Sequence, residues 1–110
     1  CAIYLPKDLS ECWSIFATSA AGGVFVPINL LLKANQVRHI LDDSQARVLI
    51  TSKAKFATIA DDLGDLDGCE LVFLDDLDLD QPASCPGDIQ LGEDLAAILY
   101  TSGSTGRPKG

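Results

Sequence analysis

The residues of this sequence that could bind a charged ligand are concentrated in its last ten positions. Residues 101–106 read Thr-Ser-Gly-Ser-Thr-Gly, a short segment rich in hydroxyl groups and glycine. Glycine lets the backbone turn sharply and lets its N–H groups approach an anion without an intervening Cβ. The hydroxyls supply further donors for phosphate oxygens, and Arg107 and Lys109 add positive charge. The pattern predicts a loop that binds a polyphosphate.

The spacing of the glycines separates this loop from other nucleotide-binding motifs. A Walker A loop requires G-x-x-x-x-G-K-[ST], but Pro108 stands where its second glycine is required. A dinucleotide-binding turn requires G-x-G-x-x-G, but residue 101 is Thr. Gly103 and Gly106 do satisfy the G-x-x-G of a KH-type RNA clamp. The formal net charge of −8 argues against that reading and predicts no nucleic acid partner.

The segment Thr101–Gly110 resembles the signature loop of the AMP-forming ligase superfamily. That superfamily includes acyl- and aryl-CoA synthetases, the adenylation domains of nonribosomal peptide synthetases, and luciferases. Gly22–Asn29 is similar to its A-G-x-x-x-x-P-x-N segment, and Ile40–Ser44 followed by Val48–Thr51 is similar to its next helix–strand unit. The resemblance therefore runs along nearly the whole chain.

The resemblance is weakest across Asp75–Glu93, and it has two departures elsewhere. Leu30 and Ala34 stand where many members of the superfamily carry proline. Both positions bear on turn geometry rather than on chemistry.

The resemblance implies a two-step reaction in which ATP–Mg²⁺ converts a carboxylic acid to an acyl-adenylate and pyrophosphate. A thiol, either coenzyme A or carrier-protein phosphopantetheine, then takes the acyl group. Lys109 is the implied charged anchor in preference to Arg107. The remaining catalytic parts of the superfamily lie beyond residue 110, so no catalytic residue or metal ligand is assigned and the chain alone is expected to be inactive. The implied phosphate contacts are Thr101, Ser102, Gly103, Ser104, Thr105, Gly106 and Lys109.

The overall composition is that of a folded domain with a single core. The chain has 110 residues, 47% hydrophobic and 22% charged. Its apolar runs are too short for a membrane span, and a cytoplasmic location is expected. It begins at Cys1 and ends inside the glycine-rich loop, which indicates a piece of a longer enzyme whose newly exposed surfaces allow self-association. The four cysteines, Cys1, Cys12, Cys69 and Cys85, are widely spaced and are expected to be buried free thiols.

Helical periodicity predicts three helices that position the loop. The first, Leu9–Ala21, has a capping-box spacing at Asp8 and Glu11 and ends at Gly22-Gly23. The others are predicted at Lys33–Ser44 and at Lys53–Leu63, which Gly64 follows. The residues expected to face the core are Leu9, Cys12, Trp13, Phe16, Ala17 and Ala20 in the first helix, Val37, Ile40 and Leu41 in the second, and Phe56, Ile59, Ala60 and Leu63 in the third.

Apolar runs between these helices predict strands. Pro27 makes the second strand short or places it at a sheet edge, and Asp75–Glu93 is expected to be a surface loop. The alternation predicts an α/β fold with a mostly parallel sheet flanked by helices. The resemblance implies that this is an incomplete piece of the large N-terminal domain of such a ligase. Residues 1–94 would form the α/β part, and residues 95–110 a strand and the phosphate loop. The apolar runs are Cys1–Leu5, Val24–Ile28, Val48–Thr51, Leu71–Leu74 and Leu95–Tyr100.

Simpler readings compete with the functional ones. The chain could be a free-standing α/β module that senses a nucleotide or docks a partner. The alternation of Asp76, Asp78 and Asp80 resembles the start of a calcium loop, but Gln81 stands where the turn glycine belongs. His39 has no partner in evident register and is expected to lie on a helix flank.

Overall fold

The computed structural model describes residues 1–78, 94–102 and 108–110. Strands and helices alternate along the first of these ranges, as the apolar patterns predict. In chain order the elements are β1 (Ala2–Tyr4), α1 (Leu9–Ala20), β2 (Val26–Pro27), α2 (Ala34–Asp43), β3 (Val48–Thr51), α3 (Lys53–Phe56), α4 (Ala60–Leu63), β4 (Glu70–Phe73), β5 (Thr101–Ser102) and β6 (Pro108–Lys109).

The first four strands form one parallel sheet in the order β2-β1-β3-β4. Ile3 in β1 lies opposite Pro27 in β2 on one side and Ile50 in β3 on the other. Strand β1 is therefore central, and all three of its residues are buried. Strand β2 is two residues long and lies at the edge, as Pro27 predicts. The mostly parallel α/β fold is confirmed.

The run Leu95–Tyr100 is not a fifth strand of this sheet. It makes one parallel bridge, between Ala97 and Phe25. Phe25 donates its N–H to Ala96 O at 3.0 Å, and Ile98 donates to Phe25 O at 3.0 Å. Phe25 precedes β2, and the bridge does not continue into a ladder between β2 and the Leu95–Tyr100 run. This segment brings the chain alongside β2 before the loop begins.

One face of the sheet is covered by α2 and α4. The buried residues of α2 are Ala34, Val37, Ile40 and Leu41, which confirms its predicted apolar face. They pack with Leu49 of β3 and with Ile59 and Leu63 in a single hydrophobic cluster. This face is the main core of the domain.

The third predicted helix, Lys53–Leu63, is divided into α3 and α4 by a turn. Thr58 N and Thr58 Oγ1 both donate to Lys55 O, at 3.1 and 2.7 Å, and Ile59 N donates to Phe56 O at 3.0 Å. These three-residue hydrogen bonds tighten the backbone and interrupt the α-helical pattern. Gly64, with φ of +73°, follows α4 as predicted.

Helix α1 starts at Leu9 as predicted and ends at Ala20, one residue before the predicted end. Asp8 is its N-cap and accepts a hydrogen bond from Ser10 N at 2.9 Å. Glu11 does not complete a capping box; it lies 3.6 Å from the Lys7 ammonium instead. Gly22, with φ of +73°, follows the helix end.

The predicted core stripe of α1 is wrong, because the helix faces the sheet with its polar side. Leu9, Trp13 and Phe16 are 70%, 59% and 73% exposed, and Cys12, Ala17 and Ala20 are exposed too. The buried residues are Glu11, Ser14 and Thr18.

The inward hydroxyls of α1 are satisfied within the helix itself. Ser14 Oγ donates to Ser10 O at 2.8 Å, and Thr18 Oγ1 donates to Ser14 O at 2.7 Å. Small side chains whose polar atoms already have partners can pack closely on a sheet without a desolvation penalty. The apolar stripe is left facing away from the domain.

Candidate functional site

The two ends of the predicted phosphate loop form a short antiparallel stem. Thr101 lies opposite Lys109, and Ser102 opposite Pro108. The side chains of Thr101 and Lys109 are exposed. The stem thus brings the first and last of the predicted contact residues together. Gly103, Ser104, Thr105 and Gly106, together with Arg107, lie outside the described residues.

Helix α2 contacts strand β6 of the stem and the residue that precedes β5. On the β5 side, Tyr100 Oη donates a hydrogen bond to the Asp43 carboxylate. On the β6 side, His39 Nε2 lies 3.1 Å from Pro108 O. Burial, the hydrogen bond and the negative charge of Asp43 raise the pKa of Tyr100 to about 12. The phenol therefore keeps its proton at neutral pH and remains a donor.

His39 has a contact that the sequence did not predict. The helix-flank position is correct, since the residue is partly buried on α2. Its partner, Pro108, is 69 residues away in the chain. No local pattern reports a contact at that separation, although the resemblance of both segments to one superfamily places them in the same domain.

A cavity of about 190 Å³ lies beside the stem, where β2 ends. Its lining includes Pro27, Asn29 and Gln36, together with Thr101 of the stem and the preceding residue, Tyr100. Ligands of parallel α/β sheets gather at the carboxyl ends of the strands. The stem lies at such an edge, beside the residues that follow β2.

Two of the polar residues in this cavity already shape the backbone around it. Asn29 Oδ1 accepts a hydrogen bond from Leu31 N at 3.0 Å, which fixes the turn after β2. Gln36 Oε1 accepts from Lys33 N at 3.0 Å at the start of α2. Lys33 and Ala34 therefore begin α2 without the proline that many superfamily members carry there.

The acidic residues that the structure describes do not form a metal site. Asp75 Oδ2 accepts from Lys53 N at 2.8 Å, and Asp76 pairs with the Lys53 ammonium. In the ranges 1–78, 94–102 and 108–110, no three His, Cys, Asp or Glu side chains are grouped to hold a metal ion. Asp80 and Gln81 of the calcium-loop reading lie outside the described residues.

The cysteines are less buried than expected. Cys1, Cys12 and Cys69 are free thiols, of which Cys1 and Cys69 are partly buried and Cys12 is exposed. Cys12 is exposed because it shares the outward stripe of α1. Burial raises the pKa of the Cys69 thiol, which keeps it protonated. Cys85 lies outside the described residues.

Within the part of the chain that the structure describes, no helix has the length and apolar character needed to cross a membrane.

The chain matches known proteins along its whole length. A family profile described as AMP-binding enzyme matches residues 1–110. Feruloyl-CoA synthase of an Amycolatopsis species is 40% identical over 106 residues, which are 96% of this chain and 21% of that protein. Tyrocidine synthase 1 of Brevibacillus parabrevis is 34% identical over 116 residues, covering 98% of this chain and 10% of that protein.

A solved structure has the same fold. The N-terminal domain of FACL13 from Mycobacterium tuberculosis superposes with a TM-score of 0.78 and 29% identity, over 92% of this chain and 28% of that one. This chain accordingly spans only a minor part of each protein that it matches.

Proposed function

This chain belongs to the family of AMP-binding enzymes, and on that basis we propose that it is part of an AMP-forming ligase. The ligase activates a carboxylic acid with ATP and passes the acyl group to a thiol. The observation that carries this proposal is the placement of the Thr101–Gly110 sequence. Its two ends close into a stem beside the carboxyl end of β2, in a chain that the family profile matches throughout.

The proposed reaction has two group transfers. In the first, a carboxylate oxygen bonds to the α-phosphorus of ATP while the bond from that phosphorus to the β-bridging oxygen breaks, and pyrophosphate leaves. In the second, the thiol sulfur bonds to the acyl carbon, the acyl–phosphate bond breaks, AMP leaves, and the thiol proton passes to a base or to water. Both steps move negative charge onto phosphate oxygens, which fixed donors stabilise.

The loop binds the leaving pyrophosphate in this proposal. Backbone N–H groups and hydroxyls between Thr101 and Gly106 donate to the β- and γ-phosphate oxygens. Lys109, whose side chain is exposed on the stem, supplies the positive charge. Hydrogen bonds to charged groups are shorter and stronger than those between neutral ones.

Mg²⁺ and the thiol acceptor are proposed for the intact ligase. Mg²⁺ would accompany ATP in the intact ligase, and among the described residues no three His, Cys, Asp or Glu side chains are grouped to hold a metal ion. The acceptor is coenzyme A or a carrier-protein phosphopantetheine. Both are consistent with the relatives, since one is named a CoA synthase and another a tyrocidine synthase. A cytoplasmic location remains part of the proposal.

Product analysis tests the reaction class. We expect a ligase that contains this chain to release AMP and pyrophosphate from ATP only when its carboxylic acid is present. A panel of aromatic, fatty and amino acids would identify the acid. Release of ADP and phosphate, or AMP release that does not depend on any acid, would contradict the proposal.

The isolated chain is proposed to be inactive and to bind ATP weakly, because it carries the phosphate loop without an adenine or acid pocket. Calorimetry of the 110-residue chain with ATP checks this point. A dissociation constant in the micromolar range would show that the chain binds the nucleotide without further parts of the ligase.

We also propose that the isolated chain self-associates through the outward face of α1, which is formed by Leu9, Cys12, Trp13, Phe16, Ala17 and Ala20. A groove of about 510 Å³ adjoins this face, and its lining includes Trp13, Ala17, Leu5, Ile50 and Leu77. Leu77 is itself 47% exposed. This face lies on the side of α1 turned away from the sheet, and no element among the described residues covers it. A second copy of the chain would supply the missing apolar cover.

The size of this face sets the strength of the association. Its three large side chains, Leu9, Trp13 and Phe16, expose roughly 400 Å² of apolar surface, so that a symmetric pair would bury about 800 Å², half of a standard interface. The net charge of −8 opposes pairing at low salt. We therefore expect a weak dimer that tightens as salt screens the repulsion.

A further inference from the structure

We propose that His39 and Asp43 of α2 are positioning residues that fix the stem of the phosphate loop. The geometric part of this inference rests on described contacts, and its catalytic consequence rests on the proposed function. His39 and Asp43 are four residues apart and thus lie one turn from each other on the same side of the helix. His39 contacts Pro108 of β6, which follows the loop. Asp43 accepts a hydrogen bond from Tyr100, which precedes β5.

The stem requires such support because it is weak by itself. It consists of two residues on each strand, and because Pro108 has no N–H, only the Thr101–Lys109 pair can exchange both backbone hydrogen bonds. Isolated two-stranded hairpins are marginally stable in water even when they are longer. The hydrogen bonds that join α2 to Tyr100 and Pro108 therefore stabilise the stem, which the strand pair alone does not.

The His39 contact is directed at the residue next to Lys109. Pro108 O can only accept, so His39 Nε2 must carry the proton. A neutral imidazole protonated at Nε2 and an imidazolium both meet this requirement. The contact ties the backbone of β6 to α2 immediately before the proposed phosphate anchor.

Gly110 packs against Tyr100, the residue that donates a hydrogen bond to Asp43. An added Cβ at Gly110 would lie 2.8 Å from Tyr100 Cζ and 2.9 Å from Ile98 Cγ2, so the chain after β6 packs directly against the Tyr100 ring. The Tyr100 hydroxyl in turn donates to Asp43. Both strands of the stem are thus joined to each other and to the carboxyl end of α2.

Amide hydrogen exchange in the 110-residue chain tests the geometric part. His39→Ala should speed exchange at Thr101 and Lys109, which lie opposite each other in the stem, by about three- to tenfold, the loss of one net hydrogen bond. His39→Gln, whose side-chain amide can still donate, should restore most of the protection. Unchanged exchange at these two amides in His39→Ala would overturn the proposal.

The acidic pair at the end of α2 offers a matched control. Asp43→Ala should speed exchange at the same two amides, whereas Asp42→Ala should not, because Asp42 pairs with Arg38 at 2.9 Å instead. Equal effects of the two substitutions would also overturn the proposal. Exchange at the amides of β1 and β3 reports global unfolding. If these amides also lose protection in His39→Ala, the comparison with His39→Gln decides the outcome.

Kinetics in the intact ligase tests the catalytic part. His39→Ala should raise the KM for ATP and slow adenylate formation by a similar three- to tenfold, with His39→Gln near the wild-type values. Faster exchange at the stem amides combined with unchanged kinetics would support the positioning role of His39 and Asp43. It would contradict the proposal that the loop binds phosphate. The proposed function and the positioning role can therefore fail separately.

Discussion

Helices α1 and α2 cover opposite faces of one sheet and place their apolar residues in opposite directions. Helix α2 encloses its apolar stripe, with Ile40 fully buried. Helix α1 exposes Trp13 and Phe16 and buries Ser14 and Thr18. Both sequences show helical periodicity, so the difference lies in what each stripe meets. The α2 stripe meets the sheet, whereas no described element covers the α1 stripe.

The comparison shows what an amphipathic pattern does and does not determine. A stripe indicates that one side of a helix is suited to an apolar partner. It does not indicate that the partner is the nearest sheet. In α1 the small hydroxyl side packs inward because its polar atoms bond within the helix. The apolar side is thereby free for a surface outside the described domain.

The largest expected effect concerns the stability of the two helices. Ile40→Ala should lower the free energy of unfolding by about 2–5 kcal/mol, because it leaves a cavity in the enclosed cluster. Phe16→Ala should change it by no more than about 0.5 kcal/mol, because the ring lies in solvent. Urea denaturation of dilute chain, where self-association is minimal, measures both. Similar losses for the two variants would mean that the α1 stripe is buried in solution.

The next effect concerns self-association. Trp13→Glu should weaken the dimer by at least about tenfold, since a carboxylate would be buried in an apolar contact. Sedimentation equilibrium at several salt concentrations measures the association. Trp13 is the only tryptophan, so its emission should also shift to the blue as the concentration of wild-type chain rises.

Leu31→Glu is the matched control for this substitution. Leu31 is as exposed as any large apolar residue that the structure describes, but it lies outside the α1 face. It should leave the association unchanged. A wild-type chain that remains monomeric at all concentrations and salts, or equal effects of the two substitutions, would rule out the α1 face as the contact.

A smaller effect is expected at the start of α1. Asp8→Ala should cost about 1 kcal/mol of stability, because it removes the cap on Ser10 N. Asp8→Asn should retain most of the cap, because asparagine serves equally well at this position. Thermal unfolding of the two variants gives the difference. If Asp8→Ala leaves the stability unchanged, α1 is held by tertiary packing alone. That result would weaken the contrast with α2.

Much of the fold could be predicted from local patterns. The β-branched run Val48–Thr51 is a strand with the predicted bounds, and α2 buries the predicted residues. These features depend on neighbours in the chain and on one apolar core. The split of the third helix lies where Thr58 and Ile59 bond carbonyls three residues earlier, and the Thr58 hydroxyl bonds one of the same carbonyls.

The errors and omissions have a common physical cause. The orientation of α1 depends on surfaces far from it in sequence, and the His39–Pro108 contact joins residues 69 apart. Helical and strand periods carry no information about such pairs. The stem lies beside the carboxyl end of β2, where ligands of parallel sheets gather, but the run Leu95–Tyr100 that leads into it is not the predicted strand.

The central claim is that Thr101–Gly110 binds the pyrophosphate portion of ATP, and pyrophosphate exchange in the intact ligase tests it most directly. Lys109→Ala and Thr105→Ala should each slow acid-dependent exchange by roughly ten- to a hundredfold, because each removes a hydrogen bond to a charged group worth about 1.5–3 kcal/mol. Lys7→Ala, a change at an exposed lysine outside the loop, should leave the rate unchanged. Wild-type exchange rates in both loop variants would contradict the account.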